Sequence, residues 1–201
     1  MIEESILKHY QAQLIHVKKG HVLFSEGDAA SYFFQLQFGS IKMLTYSDVG
    51  QEFIQGVFSD GESFGEPALI GDFDYPSAAV ALKNSSIWRL SKENFFLLLK
   101  ENFEVHLAID RALCKRLKYK NLVLSEISFY DPEHRLTTIF KYLKDSMLAK
   151  KGINNSIDIE LPFTRQQLAD MGGMRVETAI RTIKRMEEEG KVKIKDGKIL
   201  I

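Results

Sequence analysis

Between residues 16 and 91 apolar positions alternate or gather in short runs, HVLFSEGD, FFQLQFGSIKMLTY, QEFIQGVFSDGESFGE and SSIWRLS, and glycine interrupts them. The interruptions at Gly27, Gly39, Gly50, Gly61 and Gly65 approach the spacing of roughly 8–12 residues that short strands of a sandwich or barrel require. Asp48-Val49-Gly50 and Ser59-Asp60-Gly61 read as turns in which glycine supplies a positive φ. This pattern predicts an antiparallel β-barrel or roll.

The period changes near Lys92. Residues 92–100 read as a short helix and 103–129 as a long one, on which Ile109, Leu113, Leu117, Leu124 and Ile127 recur at intervals of three, four or seven. The stripe is narrow and interrupted by Lys120 and Asn121. A narrow seam suits pairing with another helix better than covering a broad core; the alternative is a helix packed on its own domain. Asp131-Pro132-Glu133 then restarts the helical pattern with an Asp N-cap, Pro at the first position and an acid in the first turn. Leu136, Ile139, Phe140, Leu143 and Met147 mark a helix that ends before Gly152. KKGINNSID, residues 150–158, reads as a loop, and IDIELPF after it is strand-like.

The last forty residues or so hold the most specific pattern. Thr164-Arg165-Gln166-Gln167 is a capping box, in which threonine and the glutamine three residues on satisfy each other's backbone N–H groups. A helix begins there, buries Leu168 and Met171, and breaks at Gly172-Gly173. A second starts near Arg175 and turns Ala179, Ile183 and Met186 inward while presenting Glu177, Arg181 and Lys184. Two short helices joined through a glycine-containing turn make a helix-turn-helix. VKIKDGKILI adds a β-hairpin around Asp196-Gly197, which makes the unit a winged helix.

In such a unit the second helix enters the DNA major groove, where Arg pairs with guanine, Glu accepts from cytosine and apolar groups meet the thymine methyl. The competing account of Glu177 and Arg181 is an ordinary i,i+4 ion pair on a solvated helix. Charge supports the first reading only weakly. The chain is neutral, but residues 161–201 carry 9 Lys/Arg against 6 Asp/Glu while the remainder carries 18 against 21. This permits an anionic partner for the C-terminal piece without requiring one.

Composition bounds the rest. A chain of 201 residues with 45% hydrophobic and 27% charged residues has ordinary globular composition, sufficient for one large or two small domains. Cys114 is the single cysteine, so no intramolecular disulfide is expected and no Cys-x-x-Cys or Cys/His ligand spacing exists. His9, His16, His21, His106 and His134 are scattered, and no metal site is expected. The acidic start MIEESILKHY lacks the order of a signal peptide, and FFLLL at 95–99 is far shorter than the roughly 20 residues that cross a bilayer. A cytoplasmic protein with no membrane partner is expected.

Taken together, these motifs resemble, from end to end, bacterial transcription regulators of the cyclic-AMP receptor protein / fumarate-nitrate regulator (Crp–Fnr) family. The resemblance rests on the roll glycines, GESFGE at 61–66, the long central helix and TRQQLADMGGMRVETAIRTIKRMEEEG. It implies an α+β chain with three parts: a sensory antiparallel β-roll over 1–102, a cyclic-nucleotide-binding-like double-stranded β-helix; a dimerisation helix over 103–130; and a winged helix-turn-helix over 131–201. It also implies a homodimer joined through Ile109, Leu113, Leu117 and Leu124, a palindromic double-stranded DNA site, RNA polymerase as partner and no enzymatic activity.

Glu177 and Arg181 fall on the family's base-reading glutamate and arginine, and Val176 matches the fumarate-nitrate type. Thr164, Arg165, Gln166, Arg175, Ile180 and Lys184 complete the expected DNA-facing set. Ile180 stands where that branch has a base-contacting serine, and Arg175 where a Ser/Thr usually caps the helix, so only a TGA-like half-site core is carried over.

The sensor departs further. Gly65-Glu66 falls on the cyclic-nucleotide phosphate cassette, which with Pro76, Ser77, Lys120 and Asn121 outlines the candidate effector pocket. Ten residues after Glu66, where the cassette needs an arginine beside a Ser/Thr, the pair is Pro76-Ser77. Losing that arginine removes a charge-assisted contact of about 1.5–3 kcal/mol. The adenine-contacting Thr-Ser is replaced by Lys120-Asn121, of which the lysine could meet an anion. An effector other than cyclic AMP is therefore expected, and one cysteine excludes the usual ligation of an iron–sulfur cluster. Two other readings remain at this stage: a cupin-like metal-dependent enzyme, and an effector-binding module that has lost DNA affinity.

Overall fold

A computed structural model of the protein describes residues 2–129, 131–151 and 159–201, without the side chains of 126–129 and 149–151. The chain is α+β and divides into two units, Met1–Leu117 and Lys118–Ile201. Among the described residues no helix is long and apolar enough to cross a membrane.

The first unit opens with α1 (Glu4–His9) and continues as strands β1 (Gln13–Val17), β2 (Val22–Phe24), β3 (Tyr32–Phe38), β4 (Ser40–Tyr46), β5 (Glu52–Ser59) and β6 (Ser63–Phe64). Helix α2 (Glu66–Gly71) is followed by β7 (Ala78–Ala81), β8 (Ser85–Ser91), α3 (Lys92–Glu101) and the start of α4 (Phe103–Phe129). The strands form two antiparallel sheets ordered β1-β8-β3-β6 and β2-β7-β4-β5, the roll that the glycine-punctuated pattern predicts. At Gly39 (φ 129) a Cβ would lie 2.4 Å from that of Ser85, so this tight crossing admits only glycine. Helices α1 and α2 carry no periodic signal of their own and were not expected.

The sequence Phe33-Phe34 places one ring on each face of β3. Phe34 joins Phe24, Leu36, Ile41, Phe64 and Ile87 in a core drawn from both sheets. Phe33 faces the other way and packs with Leu7, Trp88, Leu90, Phe95 and Leu98 from α1, β8 and α3. Ile109 of α4 is buried in this second core and Leu113 packs against it. Ile109, expected in the dimer seam, is thus buried against the roll, because the start of α4 covers the outer face of the sheet. Leu117 and Leu124 remain 60% and 66% exposed. The first turns of α4 thus group with the roll in the unit Met1–Leu117. The side chain of Ile127 lies outside the described residues.

The second unit holds the C-terminal part of α4, α5 (Pro132–Lys151), α6 (Arg165–Met171), α7 (Val176–Glu188), β9 (Lys193–Lys195) and β10 (Lys198–Leu200). Asp131 caps α5 by accepting from the N–H groups of Glu133 and His134. Tyr119 of α4 stacks on Tyr142 of α5 with centroids 4.0 Å apart, and burial pushes its phenol up to about 12. Of the loop expected over 150–158, Lys150 and Lys151 belong to α5 and the rest lies outside the described residues. In the strand-like IDIELPF, Ile157 and Asp158 likewise lie outside; Glu160 bridges Leu200, and Leu161 N–H donates to Ile199 O.

Candidate functional site

The capping box is present in full: Thr164 Oγ1 accepts from Gln167 N–H and Gln167 Oε1 accepts from Thr164 N–H. The first helix then buries Leu168, Ala169 and Met171 and ends at Gly172, with Gly173 at φ 59. The second begins after Arg175, which has extended backbone and makes no side-chain cap. Ala179, Thr182, Ile183 and Met186, at i, i+3, i+4 and i+7, are buried and fix the rotation of α7. The opposite face presents Glu177, Ile180, Arg181 and Lys184 to solvent, with Val176 half-buried at its start. Among the described residues no ion pair joins Glu177 to Arg181, so the intrahelical ion pair does not account for their placement.

Beyond α7 the wing turns on Asp196 (φ 49) and Gly197 (φ 77), two consecutive left-handed residues as a two-residue hairpin requires. Lys193, Lys195 and Lys198 are exposed on it, and Lys198 pairs with Glu160. Of the residues expected at the start of α6, Arg165 donates to Gly197 O at 2.6 Å and Gln166 donates to buried Asp170 at 2.7 Å. The unit is braced from behind by Glu133, which accepts from Arg185 and Lys191. Those two donors hold its carboxyl below the usual range, Lys191 being the larger cause.

In the roll, Gly65 adopts φ 88, and a Cβ there would approach Phe34 at 3.3 Å and Tyr32 O at 3.4 Å. Glu66 follows as the first residue of α2 and is completely buried. Its Oε1 accepts from Ser63 Oγ at 2.9 Å and from Arg116 Nη1 at 2.6 Å. Arg116 also donates to Ser63 O at 2.6 Å and lies 4.9 Å from the Phe58 ring centroid. Glu66 Oε2 and Ser77 Oγ are buried without a hydrogen-bond partner. Pro76 is exposed, as are Lys120 and Asn121 on α4. Open depressions of about 240 and 310 Å³ lie at the start of α5 and beside α1, and neither is lined by Glu66 or Ser77.

Arg116 was not anticipated. Its spacing from Ile109 and Leu113 places an arginine on the same face as two apolar positions of α4 but does not identify its partner.

Two family models match the chain: a cyclic nucleotide-binding domain over residues 14–102 and a Crp-like helix-turn-helix domain over residues 135–201. The chain belongs to the Crp–Fnr family. It is similar to the cyclic AMP receptor protein of Thermus thermophilus, 25% identical over 96% of this chain and 84% of the relative. It also resembles the fumarate and nitrate reduction regulatory protein of Escherichia coli, 27% identical over 92% of this chain and 73% of the relative. Among solved structures, the c-di-GMP responsive regulator CLP of Xanthomonas campestris shares the fold, with a TM-score of 0.80, 20% identity and 99% of each chain covered. This Crp–Fnr protein is thus a DNA-binding transcription regulator and not an enzyme, which sets aside the cupin-like alternative.

Proposed function

We propose that this regulator acts in the cytoplasm as a homodimer on palindromic DNA, reads bases with Glu177 and Arg181, and answers to something other than cyclic AMP. The observation that carries the reading is the pair Glu177 and Arg181, one turn apart, solvent-exposed and not paired with each other, on a helix whose other face is buried. Arg181 is suited to the O6/N7 edge of guanine and Glu177 to the N4 amine of cytosine. Ile180, 50% exposed, and the half-buried Val176 offer apolar surface to a neighbouring thymine methyl. Lys184 and the wing lysines are suited to phosphates. Arg175, exposed at the helix start, belongs to the same surface. RNA polymerase is the partner expected of such a regulator.

The two-fold arrangement rests on α4. Leu117 and Leu124, seven residues apart, share one face, and both are exposed in the isolated chain.

The cassette does not suit a cyclic phosphate. Proline at position 76 has neither a cationic side chain nor a backbone N–H to offer, and Arg116 already holds one oxygen of the Glu66 carboxylate.

Binding can be followed by fluorescence anisotropy on a duplex with two inverted TGA-containing half-sites and on a scrambled duplex, with and without cyclic AMP. The regulator is expected to prefer the first by about 10³-fold or more, and cyclic AMP is expected to leave the preference unchanged. Equal affinity for both duplexes would favour a module that has lost specific DNA binding. A preference that appears only with cyclic AMP would refute the effector assignment.

A further inference from the structure

The wing is secured unevenly. Its second strand is held along its length by the 159–161 segment, through Ile159 N–H to Ile201 O, Leu161 N–H to Ile199 O and the Lys198–Glu160 pair. The tip has no such support. Each wing strand is three residues long, and a two-stranded hairpin of this size is marginal by itself. Among the described residues, the bond from Arg165 Nη1 to Gly197 O is the one side-chain hydrogen bond to the tip at 195–197. Arg165 is the first residue of α6, directly after a capped terminus, so its backbone is fixed by the Thr164–Gln167 box.

We propose that Arg165 is a positioning residue that ties the wing tip to the helix-turn-helix and so aims Lys195 and Lys198 at the DNA backbone. This rests on the DNA-binding reading above but assigns Arg165 a role distinct from direct phosphate contact. The guanidinium carries five donors in a rigid fork. The one directed at Gly197 O holds the carbonyl of a left-handed turn residue. Without it, Asp196 is free to swing towards the phosphates, where its carboxylate repels them. Arg165 thereby selects the tip orientation that keeps lysines in front.

The test is a double-mutant cycle on DNA affinity with the full chain, combining Arg165→Ala with Lys195→Ala plus Lys198→Ala. A positioning residue shows non-additivity: Arg165→Ala lowers affinity roughly 3- to 30-fold in the wild-type background and less than about twofold once the two lysines are gone. An equal loss in both backgrounds, as a direct phosphate contact or a general folding defect would give, overturns the proposal, as does no loss at all. A second arm needs no DNA. In free Arg165→Ala protein, the backbone order parameters of Asp196 and Gly197 should fall from near 0.85 towards 0.6. Unchanged values refute the strut even if the wild type binds no specific site, whereas wild-type failure to bind with a loosened tip would count only against the DNA-binding reading.

Discussion

Glu66 is a carboxylate with no exposure, and its charge is met by one guanidinium, that of Arg116, whose own side chain is 25% exposed. Removing one partner of such a pair strands the other charge in a medium that solvates it poorly. Arg116→Met is therefore expected to destabilise the roll by about 3–5 kcal/mol, and Glu66→Gln added to it should recover most of that loss. Chemical denaturation of both variants checks this; a single variant as stable as wild type would mean that the Glu66–Arg116 pair contributes nothing to stability. A second residue-scale prediction concerns acid. Asp131 is held below its ordinary 3.8 by the N–H groups of His134 and Glu133, and Glu133 below its ordinary 4.5 by Lys191 and Arg185. A depressed folded pKa gives stability that is present above the unfolded value and lost as pH falls through the folded one. The second unit should hold its melting temperature down to the carboxylate range and weaken below it, and Glu133→Gln should melt lower near neutrality with a flatter acid limb. Thermal melts of both proteins across that range decide the matter; parallel acid limbs would contradict it. The exposed face of α7 was legible in the sequence because helical period alone separates Glu177 and Arg181 from Ala179 and Ile183. Arg116 was not, because its partner lies 50 residues earlier and neither residue's local pattern shows the pairing.

At the scale of elements, the periodic stripe of α4 divides into a buried part at Ile109 and an exposed part at Leu117 and Leu124. Its length and position were evident from spacing, and so was the roll, since glycine at turns constrains φ whatever surrounds it. The division of the stripe was not evident, because Ile109 and Leu117 carry the same apolar signal and only the tertiary fold decides which one a sheet covers. Ile109 is 5% exposed and Leu117 is 60% exposed. Ile109→Ala should accordingly lower roll stability by about 2–5 kcal/mol and leave association unchanged. Leu117→Asp with Leu124→Asp should do the reverse, converting a dimer to a monomer in sedimentation at micromolar concentration while the roll stays folded. A wild-type monomer, or a dimer that survives both aspartates, would place the contact elsewhere. Helices α1 and α2 escaped sequence reading because each is six residues long, too short for a 3.6-residue period to declare itself.

At the scale of the whole molecule, a roll with a rearranged cassette is joined to a winged helix whose base specificity is expected to reside on one face of α7. Glu177 and Arg181 are exposed there, backed by a buried row that fixes the helix, with the wing and the start of α6 alongside. Selection of binding sites from random DNA, run in parallel with wild type, Arg181→Ala and Glu177→Ala, tests that claim most directly. Wild type should yield an inverted repeat. Arg181→Ala should lose preference at one base pair per half-site at a cost of about 1–3 kcal/mol, and Glu177→Ala should broaden the bases accepted opposite it with little loss of affinity. Identical preferred sequences from all three proteins would contradict the account and leave these two residues with no part in reading DNA.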